Sequence, residues 1–326
     1  MNLNNNVKTK SYIKIYEMLL RDGLQSLSKN YTLVERLSMY KLIESIGLTN
    51  IEFGSMTSEK ILPQMSKSLE LYNNIINQQT NQTNLIMLCP SIKGLEKSIE
   101  SGIKNISLLC STSNNFSYKN LNCDKTISTT NMLNQLELII KKDFELIRIY
   151  VSCSFGSPWD NFDSEYLNNL INLVKQIYDF AIRNQITHEK FDIVLSDTFG
   201  LGTEENISKL YLNLNNIFGS KIFDYLALHL HTCQIEMKEN YNNDVIQYNK
   251  SIGFEKLILI SLENNIYKYD SSILGLGGCP FGEDNLKGNL STLDLINFLE
   301  SIGFECNIDK KKLIDNSFLI SKIINS

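Results

Sequence analysis

Short apolar runs rich in β-branched and aromatic residues alternate with longer amphipathic stretches along the chain. The runs are YIKIYEM (12–18), NIEFGS (50–55), NLIMLCP (84–90), NISLLCS (105–111), LIRIYVSCS (146–154), FDIVLSD (191–197), YLALHLH (225–231) and IYKYDSS (266–272). Between them lie segments such as TLVERLSMYKLIESIG, SEYLNNLINLVKQIYDFAIRN and TEENISKLYLNLNNIF, whose length and 3.6-residue spacing of apolar positions predict helices. A strand followed by a helix, eight times over, predicts an α/β fold of the TIM (β/α)8 type. Asn clusters at 73–84 and 240–249 read as loops, and no Pro/Gly-rich linker divides the chain, so residues 1–326 are expected to form one domain. STLDLINFLESIG and KKLIDNSFLISKII extend it with C-terminal helices from about residue 290. These helices are expected on the outside of the barrel or against a partner subunit, with a homodimer as the assembly they would serve.

Composition narrows the function classes. Of 326 residues, 43% are hydrophobic and 21% charged, the proportions of a chain that buries a core. A net charge of -5 and a pI near 5.4 offer no general attraction to phosphate backbones, so nucleic acid is not an expected partner. No apolar run approaches the roughly 18 residues of a spanning helix, so no membrane partner is expected either. The cysteines (89, 110, 123, 153, 233, 279 and 306) are odd in number and scattered, and MNLNNNVKTKS has neither an apolar leader core nor an Arg-rich amphipathic helix. A cytoplasmic protein is the expectation.

In a barrel of this type, active-site groups come from the carboxyl ends of the strands and the loops after them. The groups so placed are Arg21 and Asp22, Glu52, Asp197, His229 and His231, and Cys279 in GLGGCPFG. His229 and His231, two residues apart on a strand, project from the same face. That spacing suits two ligands of one metal or a pair of core histidines; the third histidine, His188, lies in the polar loop NQITHEK. Imidazole and carboxylate donors without thiolate suit a hard or borderline divalent cation such as Mg2+, Mn2+ or Zn2+, and the spacing does not choose among them; Mg2+ or Mn2+ is the expected cofactor, with Zn2+ behind them. Cys279 in its Gly-rich turn reads either as a reactive thiol or as a small residue in a tight bend.

RDGLQ, NIEFGSMTSEKILPQM, NNFSYKNLNCDKTI, YVSCSFGSPW, SDTFGLGT, LHLHT, DSSILGLGGCP and GNLSTLDL occur in this order. The ordered set resembles the 3-hydroxy-3-methylglutaryl-CoA lyase family of metal-dependent TIM-barrel lyases. The resemblance implies retro-aldol cleavage of an acyl-CoA substrate to acetyl-CoA and a 3-oxo acid such as acetoacetate. It further implies that Asp22, His229, His231 and Asn289 hold the metal, that Arg21 contacts the thioester carbonyl, and that Cys279 is the catalytic loop cysteine. Glu52 and Asp197 match acidic positions that support the metal, Arg21 or proton transfer. Two other readings stand beside it: a condensing acyltransferase joining acetyl-CoA to a 2-oxo acid, and a non-catalytic metal-binding barrel. The chain departs from the family pattern at Lys29, displaced by one from a lysine near the CoA phosphates, and at Thr232, which stands in place of an Asp. The stretch from Cys279 to Asn289 is one residue longer. An insertion between about Gln234 and Lys256 is expected as a polar loop, a lid or rim over the mouth.

Overall fold

The computed structural model describes residues 13–78, 82–241, 244–278 and 287–326. Its strands are β1 (Lys14–Glu17), β2 (Asn50–Ser55), β3 (Asn84–Leu88), β4 (Asn105–Ser111), β5 (Leu146–Ser152), β6 (Phe191–Asp197), β7 (Leu226–Tyr241), β8 (Asp244–Ser251), β9 (Lys268–Ser271) and β10 (Gly288–Asn289). The helices are α1 (Leu33–Ile46), α2 (Ser68–Ile76), α3 (Ile92–Glu100), α4 (Asn114–Leu121), α5 (Lys125–Ile139), α6 (Ser164–Arg183), α7 (Glu204–Phe218), α8 (Glu255–Glu263), α9 (Thr292–Ser301) and α10 (Lys310–Asn325). Strands β1 to β7 pair in parallel in sequence order. β9 pairs in parallel with both β7 and β1, which closes an eight-stranded TIM barrel.

Strand alternation divides the buried side chains into two sets. Ile147, Ile149 and Val151 of β5 and Ile193 and Leu195 of β6 join the main core under the helices. Their alternates point into the barrel, where Leu88, Tyr150, Val194 and Ala227 form a small apolar cluster. Arg148, Asp192, Lys268 and Asp270 share that interior and are joined by ion pairs. Barrels of this type fill their interior mainly with branched apolar side chains, so the charged layer is a departure that the site below explains.

Local signals set the helix limits. α1 begins with a reciprocal cap: Thr32 Oγ1 accepts the Glu35 N–H at 3.2 Å and Glu35 Oε2 accepts the Thr32 N–H at 2.7 Å. It ends at Gly47, whose φ of +98° suits glycine. α10 lies on the outside of the barrel against α1, where Asn316 Nδ2 donates to the Leu42 carbonyl at 2.8 Å and Ser45 Oγ at 2.7 Å.

Two predicted loops are partly regular. The cluster at 73–84 includes the end of α2 and the first residue of β3, with 79–81 outside the described residues. The insertion after strand seven is a β-hairpin: β7 continues past the barrel and pairs antiparallel with β8 from Cys233↔Ser251 to Tyr241↔Asp244. Its polar composition reads as a loop, yet Tyr248 of β8 packs against the main core.

Candidate active site

β1 runs into a single π-type turn, Leu19–Gly23, in which the Gly23 N–H reaches back to the Met18 carbonyl at 3.1 Å. Such turns often occur at functional sites. Here the turn places the buried Arg21 and Asp22 on the wall of a cavity of about 360 Å3 at the carboxyl ends of the strands. Tyr150, Ser152, Ser196, Thr198, His229 and His231 share that wall, and Met56, Ile61, Leu62, Leu109 and Phe116 give it an apolar side.

Asp22, His229 and His231 present one ligand atom each, all within 4.8 Å of one another. Asp22 Oδ2 lies 3.9 Å from His229 Nε2 and 3.7 Å from His231 Nε2, while the two Nε2 atoms are 2.9 Å apart. The other ring nitrogens face acceptors. His229 Nδ1 meets Asp270 Oδ2 at 3.1 Å and His231 Nδ1 meets the Lys287 carbonyl at 3.0 Å. Both Nδ1 atoms therefore carry hydrogen and both Nε2 lone pairs converge with a carboxylate oxygen, a donor set that fits a cation. Burial lowers the His231 pKa to about 4, which keeps it neutral. Burial alone would raise Asp22; Arg21 and the two imidazoles outweigh it and hold the carboxyl below its ordinary range.

Asn289, on β10 opposite His231, donates from Nδ2 to Asp22 Oδ2 at 2.7 Å and to the Leu276 carbonyl at 2.9 Å. The backbone of Gly277 approaches this pair so closely that a Cβ there would collide with Asn289 Nδ2, which explains one glycine of GLGG. Arg21 is held between Glu52, at Nε, and Asp22, at Nη1. Among the described residues, its Nη2 meets only Met18 Sδ, at 4.0 Å. Glu52 is fully buried and also accepts from Ser107 Oγ and, at 3.2 Å, from the Tyr150 hydroxyl.

Asp22, His229, His231, Asn289, Arg21 and Glu52 are thus brought together. Asp197, at the end of β6, accepts the N–H groups of Leu201 at 2.8 Å and Gly202 at 3.0 Å, forming the turn after that strand. Burial raises its pKa to about 6, only partly offset by those bonds. Cys279 lies outside the described residues. Lys29 bonds Glu35 Oε1 at 3.0 Å and the Ile323 carbonyl at 3.3 Å, tying the first loop to α10. Among the described residues, none that lines the cavity comes from the β7–β8 hairpin. His188 is exposed, as its loop composition implied.

Several residues of this neighbourhood escaped the sequence reading. Asp270 orients His229, Arg148 bonds Asp270, and Tyr150 joins Glu52 to the cavity wall. Their signal was charge or hydroxyl in phase with strand alternation, in I-R-I-Y and Y-K-Y-D. Glu17, fully buried at the end of β1, was also passed over. It accepts the N–H groups of Leu19 at 3.0 Å and Ile273 at 2.9 Å and the Thr292 hydroxyl at 2.7 Å.

The family model described as HMGL-like matches residues 12–232. Mitochondrial hydroxymethylglutaryl-CoA lyase of Arabidopsis thaliana is 28% identical over 95% of this chain, which spans 59% of that relative's length. A 3-hydroxy-3-isohexenylglutaryl-CoA/hydroxy-methylglutaryl-CoA lyase of Pseudomonas aeruginosa is 26% identical over 93% of this chain and 90% of its own. Among solved structures, an HMG-CoA lyase from Acinetobacter baumannii, in complex with coenzyme A and 3-methylmalate, superposes with a TM-score of 0.77. It is 22% identical and covers 96% of this chain and 92% of its own, a likeness of fold.

Proposed function

The chain belongs to the HMGL-like family, and on that premise we propose that it is a carbon–carbon lyase cleaving 3-hydroxy-3-methylglutaryl-CoA or a related 3-hydroxyacyl thioester. The observation that carries the proposal is the convergence of Asp22, His229 and His231 beside Arg21 on one cavity wall. Asp22, His229, His231 and Asn289 would hold the cation, which we take to be Mg2+ or Mn2+. When bound there, a divalent cation supplies the Lewis acidity that makes a tertiary hydroxyl easier to deprotonate.

The residues divide the remaining work. Cleavage breaks the bond between the thioester's α-carbon and the carbinol carbon. The hydroxyl loses its proton, the carbinol becomes the ketone of the 3-oxo acid, and the electron pair passes to the thioester as an enolate. Arg21, fixed by Glu52 and Asp22, offers its remaining Nη donors to the thioester oxygen, where that negative charge develops. Protonation of the enolate carbon then gives acetyl-CoA, a step for which Cys279 is the proposed donor. Met56, Ile61, Leu62 and Phe116 give the acyl group and pantetheine arm an apolar side to lie against. The relatives named as acting on CoA esters and the Acinetobacter complex with coenzyme A support an acyl-CoA substrate. We place the protein in the cytoplasm, a proposal supported by scattered free thiols.

Incubation with Mg2+ or Mn2+ and a panel of 3-hydroxyacyl-CoA esters, followed by mass spectrometry, tests reaction and substrate together. Acetyl-CoA and a matching 3-oxo acid are expected. Condensation of acetyl-CoA with a 2-oxo acid, without cleavage of any ester, would replace the lyase reading.

A further inference from the structure

We propose that Arg148 is a positioning residue that sets both halves of this site at once, the metal-ligand half through Asp270 and the carbonyl-binding half through Tyr150. The inference rests on the functional reading above. Arg148 is fully buried on β5, inside the barrel. Its Nη2 donates to Asp270 Oδ1 at 2.7 Å, and Asp270 Oδ2 receives His229 Nδ1 at 3.1 Å. Its Nη1 donates to the Tyr150 hydroxyl at 3.3 Å, and that hydroxyl reaches Glu52 Oε2 at 3.2 Å, the oxygen that holds Arg21 Nε.

The guanidinium itself is held from a third side. Nε donates to Asp192 Oδ2 at 3.1 Å, and Asp192 also takes Lys268 Nζ at 2.7 Å and the Tyr16 hydroxyl at 2.9 Å. The Arg148 Cζ lies 3.6 Å from the centroid of the Tyr16 ring. Only arginine offers several donors at fixed angles in one plane, so three divergent bonds can be kept in register; an ammonium is a point charge on a flexible stem. Burying two cations and two carboxylates is an unfavourable way to gain stability when apolar side chains of similar volume would fill the space. Joining His229 to Arg21 is something apolar packing cannot do.

The arms are separable. Asp270→Asn and Tyr150→Phe each cut one arm while preserving volume, and Arg148→Lys weakens both while leaving a positive charge for Asp192 and Asp270. Mn2+ affinity is measured by calorimetry without substrate, kcat and KM with the best ester of the panel, and Tm on each variant. Asp270→Asn should weaken Mn2+ binding by about 10- to 100-fold. Tyr150→Phe should lower kcat roughly tenfold, with Mn2+ affinity unchanged, because the lost contact acts through Arg21 on developing charge. Arg148→Lys should do both, and adding either single change to it should cost less than the same change costs alone. The proposal is overturned if Arg148→Lys lowers Tm but leaves Mn2+ affinity and kcat intact, or if its effects multiply independently with those of the other two. Equal losses of Mn2+ affinity and kcat in Asp270→Asn and Tyr150→Phe would overturn it too, and these single variants decide even if Arg148→Lys does not fold. A wild-type protein that cleaves no ester would sink the lyase reading, while Mn2+ calorimetry would still judge the Asp270 arm.

Discussion

His229 and His231 face each other Nε2 to Nε2 at 2.9 Å, with each Nδ1 committed to an acceptor. Two lone pairs at that distance repel unless a cation or proton lies between them, and Asp22 Oδ2 adds negative charge on the same side. Mn2+ at a hundred times its dissociation constant should therefore stabilise the fold by about 2.7 kcal/mol. EDTA should reverse the gain and abolish turnover. A His229→Ala, His231→Ala double variant should show neither calorimetric binding nor the thermal shift; unaltered Mn2+ binding by that variant would remove the pair from the metal site.

Arg21 is held by two carboxylates, so its replacement has two separable consequences. Arg21→Gln leaves Glu52 buried without its cation and should cost about 3–5 kcal/mol of stability in denaturant titrations. It should also lower kcat by about 10²–10³, since the lost donors act mainly on enolate charge. Arg21→Lys should recover much of the stability and little of the rate, because an ammonium cannot satisfy Glu52 and the thioester oxygen from one rigid plane. A lysine variant with near-normal kcat would show that charge alone suffices.

The barrel was legible because its signal repeats: each of eight apolar runs contributes a barrel strand, and the ends of β1 and β7 placed Arg21, Asp22, His229 and His231 at one mouth. Arg148 and Asp270 were not, because a charge inside an apolar run looks like an interruption until the partner strand that neutralises it is known. The Arg148–Asp270 contact spans 122 positions of sequence, and no local pattern encodes it. For Asp197 the place at a strand end was legible and the bonding was not: a carboxylate followed by a glycine-containing turn can bond the turn's own N–H groups, and Asp197 does so with Leu201 and Gly202.

Glu17 makes stability depend on pH in a direction unlike that of a paired carboxylate. Burial, with no cation among its hydrogen-bond partners, raises its pKa from 4.5 to about 7 despite bonds from Ile273, Thr292 and Leu19. The folded state therefore binds a proton more tightly than the unfolded chain. Glu17's contribution is most favourable below pH 4.5 and is lost as pH rises to about 7, by an amount on the order of 3 kcal/mol. Glu17→Gln keeps the shape and an acceptor for the two backbone N–H groups, and its amide can donate to Thr292. The difference in unfolding free energy between variant and wild type, measured in urea from pH 5 to 8, should favour the variant increasingly as pH rises. A difference that stays constant across that range would show that Glu17 does not titrate there.

The β7–β8 hairpin begins two residues after His231, so a lid over the mouth is a natural reading of its position, yet its base packs elsewhere. Asn249 and Cys233 crowd Gly275, and a Cβ on Gly275 would strike the Cys233 sulfur. Ser251 Oγ accepts the Ser291 N–H at 2.8 Å, two residues from Asn289, while the Ser251 N–H donates to Asp294 Oδ2 at 2.8 Å. Base and tip should therefore behave differently. Lys238 pairs with Gln247, so replacing 239–246 by Asn-Gly would close a shorter ribbon with a tight turn. That variant should keep Mn2+ affinity and the ranking of acyl-CoA esters, because among the described residues the cavity wall is built from other segments. Ser251→Ala, which removes the acceptor of the Ser291 N–H, should weaken Mn2+ binding several-fold through Asn289, by loss of a buried hydrogen bond worth about 1–2 kcal/mol. If shortening the tip changed KM or reordered the esters while Ser251→Ala left Mn2+ affinity alone, the hairpin would be a lid after all and its brace against β10 incidental.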